Sequence, residues 1–320
     1  MTANTSAVSV HGLTKRYGDR TVVDGFDLEL PQGVVAGFVG PNGAGKTTTM
    51  AMLLGLVRPS AGDGSVLGHD IAAPAAYLPG VGAMIESPAF YPALSGRENL
   101  RMFATVGRHP VERIPALLDT VGLGDRGDDR YRTYSLGMKQ RLGIAAALLG
   151  DPALLILDEP ANGLDPQGVH EMRGLIGSLA RRGRTVLVSS HDLSELEQIC
   201  DWLVLIEAGR SVYQGPAADF IRSSGDELGV VPEHEHDLET LAAVLAAPGR
   251  RVHVVDGRAV VRDDDLAGRD LAAAVNRAAH HAGIVLVELS PIRTSLEDRY
   301  LALVQGADQV VKTAQNGGTR

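Results

Sequence analysis

Cysteine is nearly absent. Cys200 is the only one in 320 residues, which excludes an internal disulfide framework and a cysteine-built zinc site. Such usage fits a reducing compartment. Basic residues are in deficit, 30 Lys and Arg against 39 Asp and Glu, for a net charge of −9. Broad nucleic-acid binding needs clustered Lys and Arg against phosphates, so the balance argues against it and leaves room only for a local basic site. No stretch reaches the roughly 18 to 20 consecutive apolar residues of a membrane span, and the most apolar runs, 142–149 and 154–157, are core-sized. Residues 1–9 are polar, without a basic region followed by an apolar stretch, so no signal peptide is expected. No direct membrane insertion is expected either, and work at a membrane would require docking through a partner. No internal repeat is visible.

What is present is ordinary globular material: 44% hydrophobic and 22% charged residues, in a chain long enough for two domains. From about residue 8 to 220, short β-rich runs at 34–39, 154–157, 185–189 and 202–206 alternate with helical segments such as 45–54. That pattern predicts an α/β fold with a mostly parallel core sheet covered on both faces. Residues from about 88 to 150 read as a helical subdomain, with helix-like stretches at 97–105 and 111–121 and no convincing strand over 88–130. Composition shifts near Gly225, where Ser223-Ser224-Gly225 and the polar run 232–237 read as a linker or exposed turn. Beyond it, Asp256-Gly257 between β-rich runs predicts a hairpin. A helix at 271–282 with Gly283 as its C-terminal cap, a strand at 284–289 and a helix at 295–304 complete a small α+β domain. The expected organisation is a nucleotide-binding domain over 1–224, an α+β accessory domain over 225–306 and a flexible tail over 307–320.

The strongest local signal is Gly40-Pro41-Asn42-Gly43-Ala44-Gly45-Lys46-Thr47-Thr48. It matches G-x-x-x-x-G-K-[ST] in full, after an apolar strand and at the start of a helix. Glycines let backbone N–H groups curl round phosphate oxygens, and the new helix aims its positive end at the same anion. Lys46 can reach the β- and γ-phosphates, and Thr47 can offer its hydroxyl to Mg²⁺. About 110 residues downstream, the apolar run Leu154-Leu155-Ile156-Leu157 ends in Asp158-Glu159. Successive strand residues face opposite sides, so the two carboxylates should do different work. Asp158 is the candidate Mg²⁺ partner, through water, and Glu159 the candidate for polarising an attacking water.

Between those motifs stands Tyr134-Ser135-Leu136-Gly137-Met138-Lys139-Gln140-Arg141. Here the chain resembles the ATP-binding cassette (ABC) ATPases, whose signature is Leu-Ser-Gly-Gly-Gln. Only Ser135 and Gly137 keep the family identities. The departures at Tyr134, Leu136 and Met138 are in keeping with antibiotic and multidrug export ATPases of the bacitracin and daunorubicin type. Order and spacing also match: P-loop, helical insert, signature, paired acids, Gly163-Leu164-Asp165, and Ser189-Ser190-His191-Asp192. The resemblance covers about 8–220 strongly and 225–305 more loosely.

The resemblance implies ATP and Mg²⁺ as ligands, and two copies packed head to tail with ATP between them. Ser135 would bond the γ-phosphate held by the partner copy's P-loop, and Gly137 would permit close backbone approach. A plain helix cap is the other reading of Ser135. His191 would contact the γ-phosphate and link to the catalytic glutamate, Asp165 would couple the two sites, and Tyr17 would stack on adenine. One departure concerns a glutamine that the family places between the P-loop and the helical subdomain. Glu86 stands there, with direct participation in the Mg²⁺ site and a surface position both open. The implied function is the ATPase of an ABC exporter, held at the cytoplasmic face of the cell membrane by a separate multi-span permease. A soluble ABC ATPase remodelling a ribosome or DNA, and a plain P-loop kinase, are the other classes. The run His234-Glu235-His236-Asp237 reads as exposed polar chain rather than a metal cluster, Asp263-Asp264-Asp265 as a turn and helix cap, and Cys200 as a buried thiol in a helical stretch.

Overall fold

A computed structural model describes residues 6–85, 89–222, 227–292 and 300. The chain divides into two compact units, Met1–Ala217 and Ala218–Arg320. The first holds β1 (Ser6–Tyr17), β2 (Arg20–Pro31), β3 (Val35–Val39), α1 (Lys46–Leu53), β4 (Ala61–Val66), β5 (His69–Asp70), α2 (Pro74–Tyr77), β6 (Val81–Met84), α3 (Gly96–Gly107), α4 (Ile114–Thr120), α5 (Leu136–Ala147), β7 (Leu154–Leu157), α6 (Pro166–Ala180), β8 (Thr185–Ser190), α7 (Leu193–Glu197), β9 (Trp202–Glu207) and β10 (Arg210–Pro216).

Six strands form the central sheet in the order β10-β9-β3-β8-β7-β6. Its strands pair in parallel except β10, which runs antiparallel to β9. Every residue of β3, β7 and β8 is buried, which is why these strands read as continuous apolar runs rather than alternating ones. A second, antiparallel sheet in the order β2-β1-β4-β5 was not legible in the sequence. One apolar cluster joins it to the central sheet and α1, including Leu13, Phe26, Phe38, Met50, Ile156 and Val204. The Phe26 and Phe38 rings meet at 5.7 Å.

Over 89–130 the described residues contain helices and turns and no strand beyond an isolated bridge between Ser95 and Arg130. Ser95 and Glu98 build a reciprocal capping box at the start of α3, satisfying two N–H groups that the helix itself cannot. The stretch expected as one helix over 111–121 is instead a 3₁₀ turn, Val111–Arg113, followed by α4. Pro115 lies in the first turn of α4, where its missing N–H costs nothing.

A short helix, α8 (Ala217–Arg222), leads to the second unit, which contains β11 (Glu227–Pro232), α9 (Leu238–Leu245), β12 (Arg250–Val255), β13 (Arg258–Asp263), α10 (Gly268–His281) and β14 (Leu286–Ile292). The strand–helix–strand–strand–helix–strand order makes one antiparallel sheet, β12-β13-β11-β14. Leu241, Leu245, Leu271 and Val275 of the helices share a core with Leu228, Val230, Ala259 and Val261 of the sheet. Asp256 and Gly257 both take positive φ, 48° and 75°, the backbone that a two-residue hairpin turn demands.

The Ser-Ser-Gly run lies outside the described residues, β11 begins two residues after it, and the polar residues after Pro232 form an exposed turn, as expected. Two expectations change here. Asp263 does not cap α10, which begins at Gly268 after Ala267. Instead its carboxylate accepts the N–H groups of Asp265 and Leu266 and the Arg250 guanidinium. The last strand runs over Leu286–Ile292 rather than 284–289. The expected helix at 295–304, apart from Tyr300, and the tail at 307–320 lie outside the described residues.

Cys200 lies beyond the end of α7 rather than inside a helix. A Cβ on Gly37 of β3 would come within 3.0 Å of its Sγ. Burial first, and the adjacent Asp201 charge second, push its thiol well above the ordinary range. Since the thiolate is the reactive form, Cys200 should react at least about tenfold more slowly with a disulfide reagent at pH 8 in the native protein than in denaturant. Equal rates in a thiol-release assay would contradict that packing.

Candidate functional site

The P-loop follows directly from β3. Gly43 and Gly45 take φ of 82° and 107°, a region that L side chains avoid. Gly40 answers a different constraint: a Cβ there would sit 2.2 Å from the carbonyl oxygen of Ile206 in β9. A Cβ on Gly45 would approach the Val22 carbonyl of β2 to 2.9 Å. The loop is therefore seated between two strands whose backbones cannot yield cheaply. Gly40→Ala should cost about 1–3 kcal/mol through overpacking. The melting temperature should fall by roughly 3–10 °C, and an unchanged melt would show that the close approach is not real.

Lys46, the first residue of α1, is only 6% exposed. Its Nζ donates to the carbonyls of Gly40 at 2.6 Å and Pro41 at 3.3 Å and lies 3.8 Å from Glu159 Oε1. Asn42, Gly43, Gly45, Lys46, Thr47 and Thr48 all line one open cavity of about 270 Å³, with Glu159 on its wall. Gly40, Pro41 and Ala44 do not line it. Gly40 and Pro41 hold the lysine, and Ala44 accepts the Gly209 N–H through its carbonyl at 2.9 Å. Glycines that leave no room for Cβ atoms, N–H groups at a helix start and a buried ammonium make a cradle that fits a phosphate chain.

The paired acids diverge. Asp158 is buried; its Oδ2 accepts the Thr47 hydroxyl at 2.8 Å and its Oδ1 the Ser189 hydroxyl at 2.5 Å. Thr47 and Asp158 thus bring a hydroxyl and a carboxylate together, an all-oxygen donor set suited to Mg²⁺. Glu159 goes the other way: its Oε2 lies 2.7 Å from His191 Nδ1, and an ionised carboxylate can only accept there. The reason is not strand alternation, since β7 stops at Leu157. Glu159 has φ of 48°, an uncommon conformation for a non-glycine residue. Its N–H donates to Ser189 Oγ at 2.9 Å, which helps hold that turn. Ser189 thus serves both acids, and sequence reading missed it as a site residue. The available signal was its place at the head of the Ser189-Ser190-His191-Asp192 segment; its position one residue past Val188, the register partner of Leu157, comes from the sheet pairing.

Ser135 and Asp165 stand in a different cavity. Ser135 caps α5 by accepting the Met138 N–H at 3.3 Å, and Asp165 caps α6 by accepting the Gly168 N–H at 2.8 Å. With Gly137, Gly163, Arg141 and Gln167 they line a cavity of about 460 Å³ that shares no lining residue with the P-loop cavity. Within the chain nothing demands glycine at 137, where a Cβ would meet only Leu164 at an ordinary 3.7 Å. Tyr17 is half exposed, with Lys15 Nζ 4.9 Å from its ring centre. It is not among the residues lining the P-loop cavity, whereas Arg20, unmarked in the sequence, is. Glu86 lies outside the described residues.

The sequence profile of the ABC transporter family matches residues 23–162, which span the P-loop, the Ser135 segment and the paired acids. The chain is 36% identical to the daunorubicin resistance ATP-binding protein DrrA3 of Streptomyces coeruleorubidus, over 97% of this chain and 99% of that protein. It is 38% identical to the bacitracin transport ATP-binding protein BcrA of Bacillus licheniformis, over 92% of this chain and 96% of that one. A solved structure of an ATP-binding subunit of an ABC transporter superposes with a TM-score of 0.61 and 31% identity, covering 68% of this chain and 93% of the other. Among the described residues no helix is long and apolar enough to cross a membrane. The phosphate cradle and this similarity over nearly the full length lead to one conclusion: the chain belongs to the ABC transporter family, as one of its ATP-binding, ATP-hydrolysing proteins.

Proposed function

We propose that this chain powers an exporter for an antibiotic, drug or lipid-like compound, working as a pair of copies beneath a separate multi-span permease at the cytoplasmic face of the cell membrane. The observation that carries the paired arrangement is the separation of the P-loop cavity from the cavity of Ser135, Gly137 and Asp165. Each is open, and the glycine at 137 has no steric reason inside one chain. A second copy whose P-loop faced Ser135 would supply that reason. The names of the relatives, a resistance and a transport ATP-binding protein, favour export over remodelling of a ribosome or DNA.

In this reading the P-loop N–H groups and Lys46 bind the triphosphate of ATP. Thr47 and Asp158 would hold Mg²⁺, which when bound offsets charge on the phosphates. Glu159 orients a water and takes its proton at a carboxylate oxygen. His191 holds Glu159 through Nδ1, and Ser135 and Gly137 of the second copy close over the far side of the phosphate chain and exclude water. Removing the histidine frees the glutamate from its partner, so His191→Ala should lower steady-state ATP hydrolysis by about 10- to 100-fold. A phosphate-release assay checks this, and wild-type rates would remove His191 from the mechanism.

Mixing tests the pairing. Chains carrying Lys46→Ala alone, or Ser135→Arg alone, should each be nearly inactive. Mixed, they should recover hydrolysis, because a symmetric head-to-tail pair then contains one site with both defects and one with neither. Robust hydrolysis by a chain that light scattering shows to be monomeric during turnover would overturn the proposal.

A further inference from the structure

The P-loop cavity contains a cation that the site described so far does not use. Arg20 opens β2 and lies directly opposite Tyr17 in the β1–β2 register, across the turn made by Gly18 and Asp19, where Gly18 takes φ of 57°. Arg20 and Val22 line the same cavity as Asn42, Lys46, Thr47 and Glu159. The contact of β2 with the P-loop is close, since the Val22 carbonyl is the atom that leaves no room for a Cβ at Gly45. Arg20 therefore projects from the strand against which the phosphate loop is built.

Its electrostatic situation differs from that of Lys46. Lys46 is buried and committed to the carbonyls of Gly40 and Pro41, with Glu159 nearby. Among the described residues, Arg20 has neither a carboxylate partner nor a hydrogen-bond acceptor for its guanidinium. The next arginine facing this strand behaves otherwise: Arg210 is paired with Asp24 at 2.6 Å. Arginine is always charged, and its planar fork matches phosphate oxygens with two parallel N–H groups. The Arg20 guanidinium on the wall of this cradle is therefore not engaged in a structural ion pair among the described residues and is available to an anion.

We infer that Arg20 is a further nucleotide-binding residue, whose guanidinium bonds the phosphate chain of ATP from the β2 side while the P-loop holds it from the other. The inference rests on the reading of this cavity as the ATP site. It places the nucleotide across the β1–β2 turn, with Tyr17 and Arg20 as neighbours: an aromatic face on one strand and a cation on the other. An arginine is also able to stack on a base, so phosphate and adenine are the two parts of the ligand to be separated by experiment.

Equilibrium binding to the full chain, by competition against a fluorescent ATP analogue, makes that separation with ATP and with adenosine, which has no phosphate. Arg20→Ala should raise the Kd for ATP about tenfold, the loss of one charge-assisted phosphate contact, and move that for adenosine by less than about twofold. Arg20→Lys should restore part of the ATP affinity and Arg20→Gln none of it. The ATP Kd of the wild type should also rise more steeply with salt than that of Arg20→Ala. Equal weakening of ATP and adenosine would assign Arg20 to the base and overturn the phosphate contact. Unchanged ATP affinity in Arg20→Ala would overturn the inference outright. Lys46→Ala, measured beside it, keeps the two failures apart: if it loses ATP while Arg20→Ala does not, the site stands and only the role of Arg20 falls. Melting curves of the Ala and Gln variants, at an exposed position, exclude unfolding as the cause.

Discussion

Glu159→Gln should reduce ATP turnover by at least about a hundredfold while ATP binding persists and the ATP-bound pair accumulates. Glutamine has nearly the same shape and can still meet His191 and Lys46, which lie 2.7 and 3.8 Å from the two carboxylate oxygens. What it cannot do is accept a proton from water. The P-loop cradle and the Thr47–Asp158 contact are untouched by the change, so affinity should survive and the chemical step should not. Single-turnover hydrolysis of labelled ATP, with light scattering to follow mass, separates the two. Wild-type turnover would end the assignment of Glu159 as the general base and move attention to another group in the cavity.

Lys46→Ala should nearly abolish ATP binding, with affinity falling by about a hundredfold or more. Coulomb attraction between a buried ammonium and phosphate is far stronger at low effective dielectric than in water, and Lys46 is almost fully buried. The same substitution strips the donor from the Gly40 and Pro41 carbonyls, so the loop loses a brace as well as a charge. Thermal melts provide the measurement. A ligand at a hundred times its Kd stabilises the native state by about 2.7 kcal/mol. The wild type should therefore melt higher with ATP, and the variant should show no shift at the same ATP concentration. A full shift in the variant would mean that the nucleotide is held without the lysine.

Much of the site was readable without coordinates. Gly40 to Thr48 combine a strand end, glycines at the bend and a lysine at the first helical residue, each dictated by what a phosphate cradle needs. The buried strands β3, β7 and β8 announced themselves as unbroken apolar runs. The antiparallel sheet stayed hidden for a physical reason. Pairing of β1 with β2 shifts register between Val10 and Leu13 and again before Arg16, and each shift interrupts the two-residue period on which strand reading depends. In the second unit, β11 was masked by the Ser-Ser-Gly run in front of it, although Leu228 and Val230 alternate into the core.

By itself the sequence determined the phosphate loop, the paired acids, four of the six central strands (β3, β7, β8 and β9, but not β6 or β10) and the order of motifs, because these depend on residue type and near-neighbour spacing. Only the tertiary structure decided that Ser189 serves both Asp158 and Glu159, that a left-handed turn rather than strand alternation sends the two acids apart, that Ser135 and Asp165 share a cavity remote in lining from the P-loop, and that Arg20 faces the phosphate site. Those facts arise from sheet register and from a backbone turn that a linear pattern does not encode, since groups far apart in the chain meet only when the strands carrying them pair.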